Sequence, residues 1–295
     1  GLRVSPPDGK CYSCPMNPSP GVLLTILLAL PLPAQSVYRL QPFQQRPGQV
    51  LTMRATSDST GGSMVVQRGE VSQSGAMGIK RERTYERTIG GTPTAPSLQY
   101  RILSDRISTT VGTDGVPRTR TADAPLTGLS VLGFRDATRQ WRLYLKGRTA
   151  SNDEAIALAE LEAYENRSWF LDSAVKVGAE WVINPGFIRH LTERDVDQAE
   201  INATAKLREV SMIDGEKTAV LDLTVKTMGS KDNPIAGTSS GLSIALTGTL
   251  HVALDTMLDK KLVMSGGFTT VAREGGVSTT VKMPYNATVT KTLGR

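Results

Sequence analysis

Alternation of apolar and polar residues is the feature that most constrains the fold of this 295-residue chain. In GLSIALTGTLHVALD (241–255), Leu, Ile and Val occupy even-numbered positions, and small or polar residues occupy the odd-numbered ones. The segments KTAVLDLTVKT (217–227) and INATAKL (201–207) alternate in the same way. A period of two residues is that of a β-strand with one buried and one solvated face. The C-terminal half is therefore predicted to form long β-strands.

Turn signals connect these segments into an antiparallel meander. Asp214 and Gly215 lie between two alternating segments, and Asp-Gly is typical of two-residue β-hairpins. Residues 258–271 and 277–292 are rich in Thr and Val and are joined through two glycines, and residues 130–147 have the pattern of a further hairpin. The N-terminal half contains similar segments, each interrupted by Gly, Ser or Pro.

One segment has the pattern of a helix instead. SNDEAIALAELEAYE (151–165) begins with a capping box, in which Ser151 precedes Glu154 by three residues, and continues with strong helix formers. We predict a helix near residues 151–166 and a second, short one at 187–194. Long antiparallel strands twist and coil. The predicted fold class is therefore mainly β (α+β): a curved, largely antiparallel sheet or half-open barrel wrapping one central helix.

An apolar run near the N-terminus predicts export. GVLLTILLALPL (21–32) is too short for a membrane-spanning helix, which needs roughly 20 residues, but it matches the core of a signal peptide. A buried core helix is the alternative. Small residues after the run predict cleavage after Ser36, or alternatively after Ala34. The mature chain is then one β-rich domain, residues 37–295, in the periplasm or outside the cell and without a transmembrane span.

Residues that commonly bind metals or act as nucleophiles are few. Cys11 and Cys14 lie in the N-terminal segment 1–36, and no second CxxC pair completes a zinc site. The two histidines, His190 and His251, share no motif. We therefore predict no metal, no cofactor and no catalytic residue. A hydrolase that uses carboxylates not identifiable from the sequence is kept as an alternative.

Positive charge is concentrated in the first part of the predicted mature chain. Residues 37–149 contain 17 Lys and Arg against 8 Asp and Glu, a net charge of +9, whereas residues 150–295 contain 15 against 19, a net charge of −4. Arginine forks suit phosphate, sulfate and carboxylate groups, so Arg81, Arg83 and Arg87 are predicted to contact an anion such as a lipid headgroup. The alternative is that the two parts neutralise each other, or that the charges only keep one sheet face solvated. Nucleic acid is not an expected partner, because the chain has few aromatic residues for base stacking.

Trp169, Phe170 and Trp181 flank the short stretch between the predicted helix and the next strand. Aromatic side chains in such a place line the mouth of a ligand site or fill the core where a helix meets a sheet. These three residues are the predicted ligand contacts, with the core as the alternative.

The order of elements carries a resemblance to known proteins. The predicted signal peptide is followed by strands that open near Arg46-Pro47-Gly48, by VGAEWVI (177–183), by the Asp-Gly hairpin and by the long terminal meander. In outline this resembles uncharacterised secreted bacterial β-rich proteins and lipoprotein-carrier-like envelope proteins, in which a curved antiparallel sheet half-encloses helices. The resemblance implies an apolar cavity and the handling of lipids or lipoproteins. It transfers no functional residue, because no motif can be aligned.

These observations predict an exported, non-catalytic envelope or periplasmic binding protein with an apolar cavity for a lipid or lipoprotein, and with a possible envelope protein as partner. The alternative is a structural or protein-interaction β-protein that pairs through its sheet edges. The interior of the sheet distinguishes the two: it is hollow in the first case and filled in the second.

Overall fold

The computed structural model describes residues 36–294 except 93, 113–114, 168, 185–197 and 234–235. This part of the chain contains fifteen strands and one helix. The first eight strands are β1 (Val37–Tyr38), β2 (Val50–Asp58), β3 (Gly62–Arg68), β4 (Val71–Gly91), β5 (Pro96–Gly112), β6 (Arg118–Asp123), β7 (Ser130–Arg135) and β8 (Trp141–Leu145). They are followed by α1 (Asn152–Glu165), β9 (Val175–Lys176), β10 (Glu180–Val182), β11 (Gln198–Ile213), β12 (Glu216–Asn233), β13 (Thr238–Ala253), β14 (Leu258–Glu274) and β15 (Val277–Gly294).

Thirteen of these strands form one antiparallel sheet, and β1 pairs with β9 in a separate two-stranded sheet. The order across the large sheet is β10-β11-β12-β13-β14-β15-β2-β4-β5-β7-β8, and β6 pairs with β5. Strand β3 continues the direction of β2, so that both lie between β15 and β4. The end strands β10 and β8 are not paired with each other in the described chain, so the sheet is open. The prediction of a mainly β, antiparallel fold is confirmed.

The C-terminal meander has the predicted hairpins. Asp214 and Gly215 both have positive φ angles (52° and 79°), as a type I′ turn requires, and the flanking residues Ile213 and Glu216 are paired. Strands β14 and β15 are joined through Gly275 and Gly276, which also have positive φ. The hairpin predicted within residues 130–147 corresponds to β7 and β8.

The N-terminal half differs from the sequence prediction, because its strands are longer and less interrupted than the pattern indicates. Strand β4 spans 21 residues and continues through Gly75 and Gly78. It is paired along its length with β2 and β3 on one side and β5 on the other, and these ladders outweigh the poor strand propensity of its Gly and Ser residues. A Cβ atom at Gly78 would lie 3.2 Å from Cα of Thr60, so the glycine lets the chain break between β2 and β3 pack closely.

Two groups of buried apolar residues form the core. The first, here called the meander core, lies against β11 to β14 and includes Trp181, Leu207, Leu221, Leu223 and Leu250. The second, here called the helix core, joins α1 to β2, β4, β5, β7 and β8 and includes Tyr85, Tyr100, Val131, Leu158 and Leu161. The alternating apolar residues predicted for 217–227 and 241–255 supply much of the meander core.

Helix α1 begins as the sequence predicts. Ser151 is its N-cap, and the reciprocal bonds of a capping box are present: the Glu154 backbone N–H donates to Oγ of Ser151 (3.4 Å), and the Ser151 N–H donates to Oε2 of Glu154 (2.8 Å). Leu158 and Leu161 are the buried residues of the helix.

The last turns of α1 are bonded to the edge strand β8. The backbone N–H of Trp141 donates to Oδ1 of Asn166 (2.8 Å), and Nδ2 of Asn166 donates back to the Trp141 carbonyl (3.0 Å). The N–H of Leu143 donates to Oε2 of Glu162 (2.9 Å). The helix thereby satisfies backbone groups that an edge strand normally exposes. Wrapping of the sheet around this helix stays a prediction.

Three sequence predictions fall outside the described residues: the apolar run 21–32, the cysteines Cys11 and Cys14, and the short helix at 187–194. Within the part of the chain that the structure describes, no helix is long and apolar enough to cross a membrane.

Burial in the meander core predicts a large effect of Leu221→Ala, because the side chain is fully buried and its removal leaves a cavity. We expect the free energy of unfolding to fall by about 2–5 kcal/mol in urea titrations followed by circular dichroism. Met228→Ala on the same strand is the matched control, since Met228 is 62% exposed and its truncation is expected to change stability by less than about 0.5 kcal/mol. Equal losses in the two variants would contradict the placement of this core.

Candidate functional site

A cavity of about 1270 Å³ opens beside the helix core. Its walls come from the segment between β1 and β2, the β4–β5 connection, the β7–β8 hairpin, the end of α1 and the strands β14 and β15. Six aromatic side chains face it: Phe43, Phe134, Trp141, Tyr144, Trp169 and Phe170. Charged side chains line it too, so the wall is mixed in character where the sequence predicts an apolar one.

Five charged residues, here called the charged cluster, meet at the cavity wall: Arg87, Glu165, Arg167, Asp259 and Lys291. Nη1 of Arg87 lies 2.6 Å from Oε2 of Glu165. Nη2 of Arg167 lies 2.8 Å from Oδ2 of Asp259, and Nζ of Lys291 lies within 2.7 Å of both Asp259 oxygens. Each carboxylate is thus held by at least one cation at hydrogen-bonding distance, which is the arrangement that makes a buried charge tolerable.

The charged cluster is withdrawn from water. The side chains of Glu165 and Lys291 are 4% and 6% exposed. Burial by itself would raise the pKa of the Glu165 carboxyl, but Arg87 and Arg167 outweigh this and hold that pKa below its usual 4.5. The same balance, with Lys291 and Arg167 as the cations, lowers the pKa of Asp259. Both carboxyl groups are therefore ionised at neutral pH.

Neutral groups complete the surroundings of the charged cluster. The Tyr100 hydroxyl donates to Oε1 of Glu165, and burial raises the pKa of Tyr100 well above 10.0, so it stays protonated. Nε of Arg87 donates to Oε1 of Gln45 (2.9 Å). The Arg167 guanidinium lies 3.5 Å from the centroid of the Tyr164 ring, a cation–π contact.

Strand register and the helix end bring the charged cluster together. Arg87 on β4 is paired directly with Tyr100 on β5, which places both side chains on the face that α1 covers. Glu165 is the last residue of α1, and Arg167 lies two residues beyond it, after the C-cap Asn166. Asp259 and Lys291 stand on the neighbouring strands β14 and β15. The site therefore depends on docking of the helix end against the middle of the sheet.

The structure places the three predicted aromatic contacts in two different environments. Trp169 and Phe170 line the cavity, whereas Trp181 lies in the meander core, where its Nε1–H donates to the Trp169 carbonyl (2.9 Å). Trp169 also belongs to that core. The sequence leaves two roles open for Trp169, a ligand contact or a core residue, and the structure places it both at the cavity wall and in the meander core. Binding of a ligand by Trp169, Phe170 or Trp181 stays a prediction.

The three predicted anion contacts are also divided. Arg87 belongs to the charged cluster, but Arg81 and Arg83 share the buried carboxylate of Asp105. Arg81 binds Asp105 in a bidentate manner: its Nε donates to Oδ1 and its Nη2 to Oδ2, each at 2.7 Å. Glu160 of α1 lies 3.7 Å from Arg81. Arg81 and Arg83 therefore tie β4, β5 and α1 together, and contact of the three arginines with an external anion stays a prediction.

His251 is half-buried on β13 and does not line the cavity. Burial, Lys261 and Arg208 lower its pKa below the usual 6.5, so the imidazole is neutral at pH 7. His190 lies outside the described residues. Among the residues that the structure places, no group of three or more His, Cys, Asp and Glu side chains is arranged to hold a metal ion.

Four members of the charged cluster are absent from the sequence predictions: Glu165, Arg167, Asp259 and Lys291. One of them, Lys291, can be recognised from the alternation of apolar and polar residues in β15. On β15 the odd-numbered residues from Val281 to Leu293 are apolar except Lys291, which stands on the buried face of an alternating strand. A charge at an inward position of this kind indicates a paired or functional group.

No family model and no curated protein sequence matches the chain. Among solved structures, one of lipovitellin that concerns lipid–protein interactions shows 9% identity and a TM-score of 0.42 over 85% of this chain, which spans only 26% of the lipovitellin chain. A DUF1329 family protein from Desulfovibrio piger shows 9% identity and a TM-score of 0.12, over 79% of this chain and 83% of that one. TM-scores below 0.5 do not establish a common fold, so function has to be argued from the site.

The lowered pKa of Glu165 predicts a pH dependence of stability. A carboxyl with a lower pKa in the folded than in the unfolded chain stabilises the fold fully above its unfolded value, here 4.5, and this contribution is lost as the pH falls through the folded value. Glu165→Gln leaves Arg87 without its carboxylate, so we expect about 3–5 kcal/mol lower stability at pH 7 and a shallower decline below pH 4.5. Urea titrations between pH 3 and pH 7 measure both effects.

Glu160→Gln on the same helix is the matched control. Glu160 is 39% exposed and lies 3.7 Å from Arg81, so its loss is expected to cost less than about 1 kcal/mol at any pH. Parallel pH profiles for the Glu165→Gln and natural chains would refute the assigned pKa shift.

Proposed function

We propose that this chain is a non-catalytic binding protein that holds an amphiphilic molecule with a long apolar part in its cavity. The observation that carries the proposal is a cavity of about 1270 Å³ that is partly open to solvent and has six aromatic side chains on its wall. Sites for small molecules and cofactors usually measure about 300–1,000 Å³ and are mostly apolar with a few polar groups. A lipid-sized ligand fits the larger volume.

The aromatic residues divide between the two sides of the cavity. Trp169 and Phe170 follow the helix and contact the meander core, whereas Phe134, Trp141 and Tyr144 come from the β7–β8 hairpin. Phe43 comes from the segment that precedes β2. Aromatic side chains bury large apolar areas when they are covered, and Phe134 and Tyr144, which are 50% and 45% exposed, offer such area to an alkyl chain.

The charged cluster favours binding over acid–base catalysis. A general acid or base works best when its pKa lies near the working pH. Cations lower the pKa values of both Glu165 and Asp259, which moves them away from neutrality. The alternative of a hydrolase based on carboxylates is therefore the weaker reading of this site.

Two edge strands of the sheet, β8 and β10, are poorly suited to assembly through strand pairing. Edge strand β8 has five residues and β10 has three, and the backbone of β8 is bonded to α1 through Asn166 and Glu162. Short and covered edges are the means by which sheet proteins avoid edge-to-edge pairing. The alternative of a structural protein that pairs through β8 or β10 is therefore less favoured, whereas β6 and the part of β11 beyond Leu207 have an edge without a strand partner in the described chain.

The proposal includes export and curvature of the sheet around the ligand. Export to the periplasm or cell exterior rests on the apolar run 21–32 and the small residues that follow it. Curvature rests on the length of the strands, since β4, β5 and β11 to β15 each exceed 15 residues and long antiparallel strands coil.

The test is the lipid content of the purified full chain. We expect native mass spectrometry to show bound small molecules that organic extraction removes. The extracted protein is then expected to bind Nile red, a neutral apolar dye, with increased and blue-shifted fluorescence. A chain that carries no extractable ligand and does not bind Nile red would refute the proposed function.

Two phenylalanine variants locate the binding site. Phe170→Ala removes an aromatic group from the cavity wall, so we expect about fivefold weaker Nile red binding, corresponding to roughly 1 kcal/mol. Phe268→Ala is the matched control, because Phe268 is also half-buried but lies on β14, where it lines a separate, smaller cavity of about 440 Å³. Equal weakening in both variants would place the dye elsewhere on the sheet.

A further inference from the structure

The charged cluster is not balanced. Within the described residues it combines three cations, Arg87, Arg167 and Lys291, with two carboxylates. The tyrosines Tyr85 and Tyr100 that adjoin it are uncharged, because burial raises their pKa values well above 10.0. The cluster therefore carries one positive charge more than its own carboxylates neutralise.

The rim of the cavity adds to this excess. Arg135, Asp136 and Arg139 of the β7–β8 hairpin also line the cavity with one more cation than carboxylate, but Arg135 and Arg139 are exposed and stay hydrated, so the cost of desolvation applies to the charged cluster. An isolated charge removed from water is costly unless a partner of opposite sign is present. The described wall thus favours an anion in the cavity.

Unused hydrogen-bond donors remain on the same side chains. Arg87 donates through Nε to Gln45 and through Nη1 to Glu165, and its Nη2 has no acceptor among the described residues. Nε of Arg167 is buried without a hydrogen-bond partner in the described structure. The hydrogen bonds of Lys291 go to the two oxygens of Asp259, and its third N–H has no hydrogen-bond acceptor among the described residues, although Nζ also lies 5.3 Å from the centroid of the Tyr164 ring.

We propose that the ligand of this cavity carries an anionic headgroup, a carboxylate or a phosphate, which binds at the charged cluster. This inference rests on the proposed function, because it concerns the polar end of the same amphiphile. Arginine presents a planar fork that matches the oxygens of both groups, and lysine adds a point charge. The headgroup neutralises the extra cation, and the apolar chain lies against the aromatic wall.

Three ligands of equal chain length test the headgroup: laurate, dodecyl phosphate and dodecanol. Each is titrated into the extracted full chain loaded with Nile red, and displacement of the dye gives its affinity. Hydrogen bonds to charged groups are strong enough for the two anions to bind at least about tenfold more tightly than the alcohol. Which of the two anions binds better identifies the headgroup.

Equal affinity for all three ligands would overturn the headgroup assignment and leave the proposed function intact. Failure of the chain to bind Nile red at all would instead refute the proposed function. The comparison uses the natural chain, so it does not depend on the folding of any variant.

Lys291→Met locates the headgroup. The substitution removes the extra cation and leaves each carboxylate with one arginine, at Arg87–Glu165 and Arg167–Asp259. We expect the preference for laurate and dodecyl phosphate over dodecanol to fall below about threefold, while Nile red still binds. Lys291→Arg is expected to restore the preference.

Lys282→Met is the matched control, because Lys282 is an exposed residue of the same strand that lines only the smaller, separate cavity of about 440 Å³. It is expected to keep the preference of the natural chain. Full preference in a Lys291→Met protein with an unchanged circular dichroism spectrum would overturn the placement of the headgroup at the charged cluster.

Discussion

The apolar face of the large sheet has to be shielded from water, and the elements that shield it determine most of the structure. Within the described residues, helix α1 covers part of this face through Leu158 and Leu161. The segments around Leu40 and Trp169 cover another part, against β11 to β14. Neither α1 nor the segments around Leu40 and Trp169 fill the region between these two parts of the face, and the cavity lies in that region. A large sheet with little helical cover thus leaves part of its apolar face open, and the proposed ligand would cover it.

Charges on the inward face impose a second constraint. Arg81, Arg83 and Arg87 occupy alternate positions of β4, on the side where Tyr85 is buried. Cations at such positions require partners, and the chain supplies Asp105 from β5 and Glu165 from the end of α1. These ion pairs fix the helix against the sheet, and one of the three arginines, Arg87, also lines the cavity.

Local patterns predicted the elements that depend on neighbouring residues. The Asp214-Gly215 hairpin, the capping box of Ser151 and the alternation in β12 and β13 are of this kind. The charged cluster depends on pairs far apart in the chain: Arg87 and Glu165 are separated by 78 residues, and Arg167 and Asp259 by 92. Alternation shows that Lys291 points inward, but it does not show which carboxylate Lys291 meets. The length of β4 was missed for the same reason, since its ladders come from distant strands.

The seam between the two halves of the sheet has a consequence for synthesis of the chain. Strands β2 and β3 pair with β4 on one side and with β15 on the other, so strands from opposite ends of the described chain meet in the middle of the sheet. On a ribosome, the side of β2 and β3 that receives β15 has no partner until residues 277–294 have emerged. A long unpaired strand edge is a template for pairing with other chains. The nascent protein therefore carries an open strand edge at its future centre until its last strand is made.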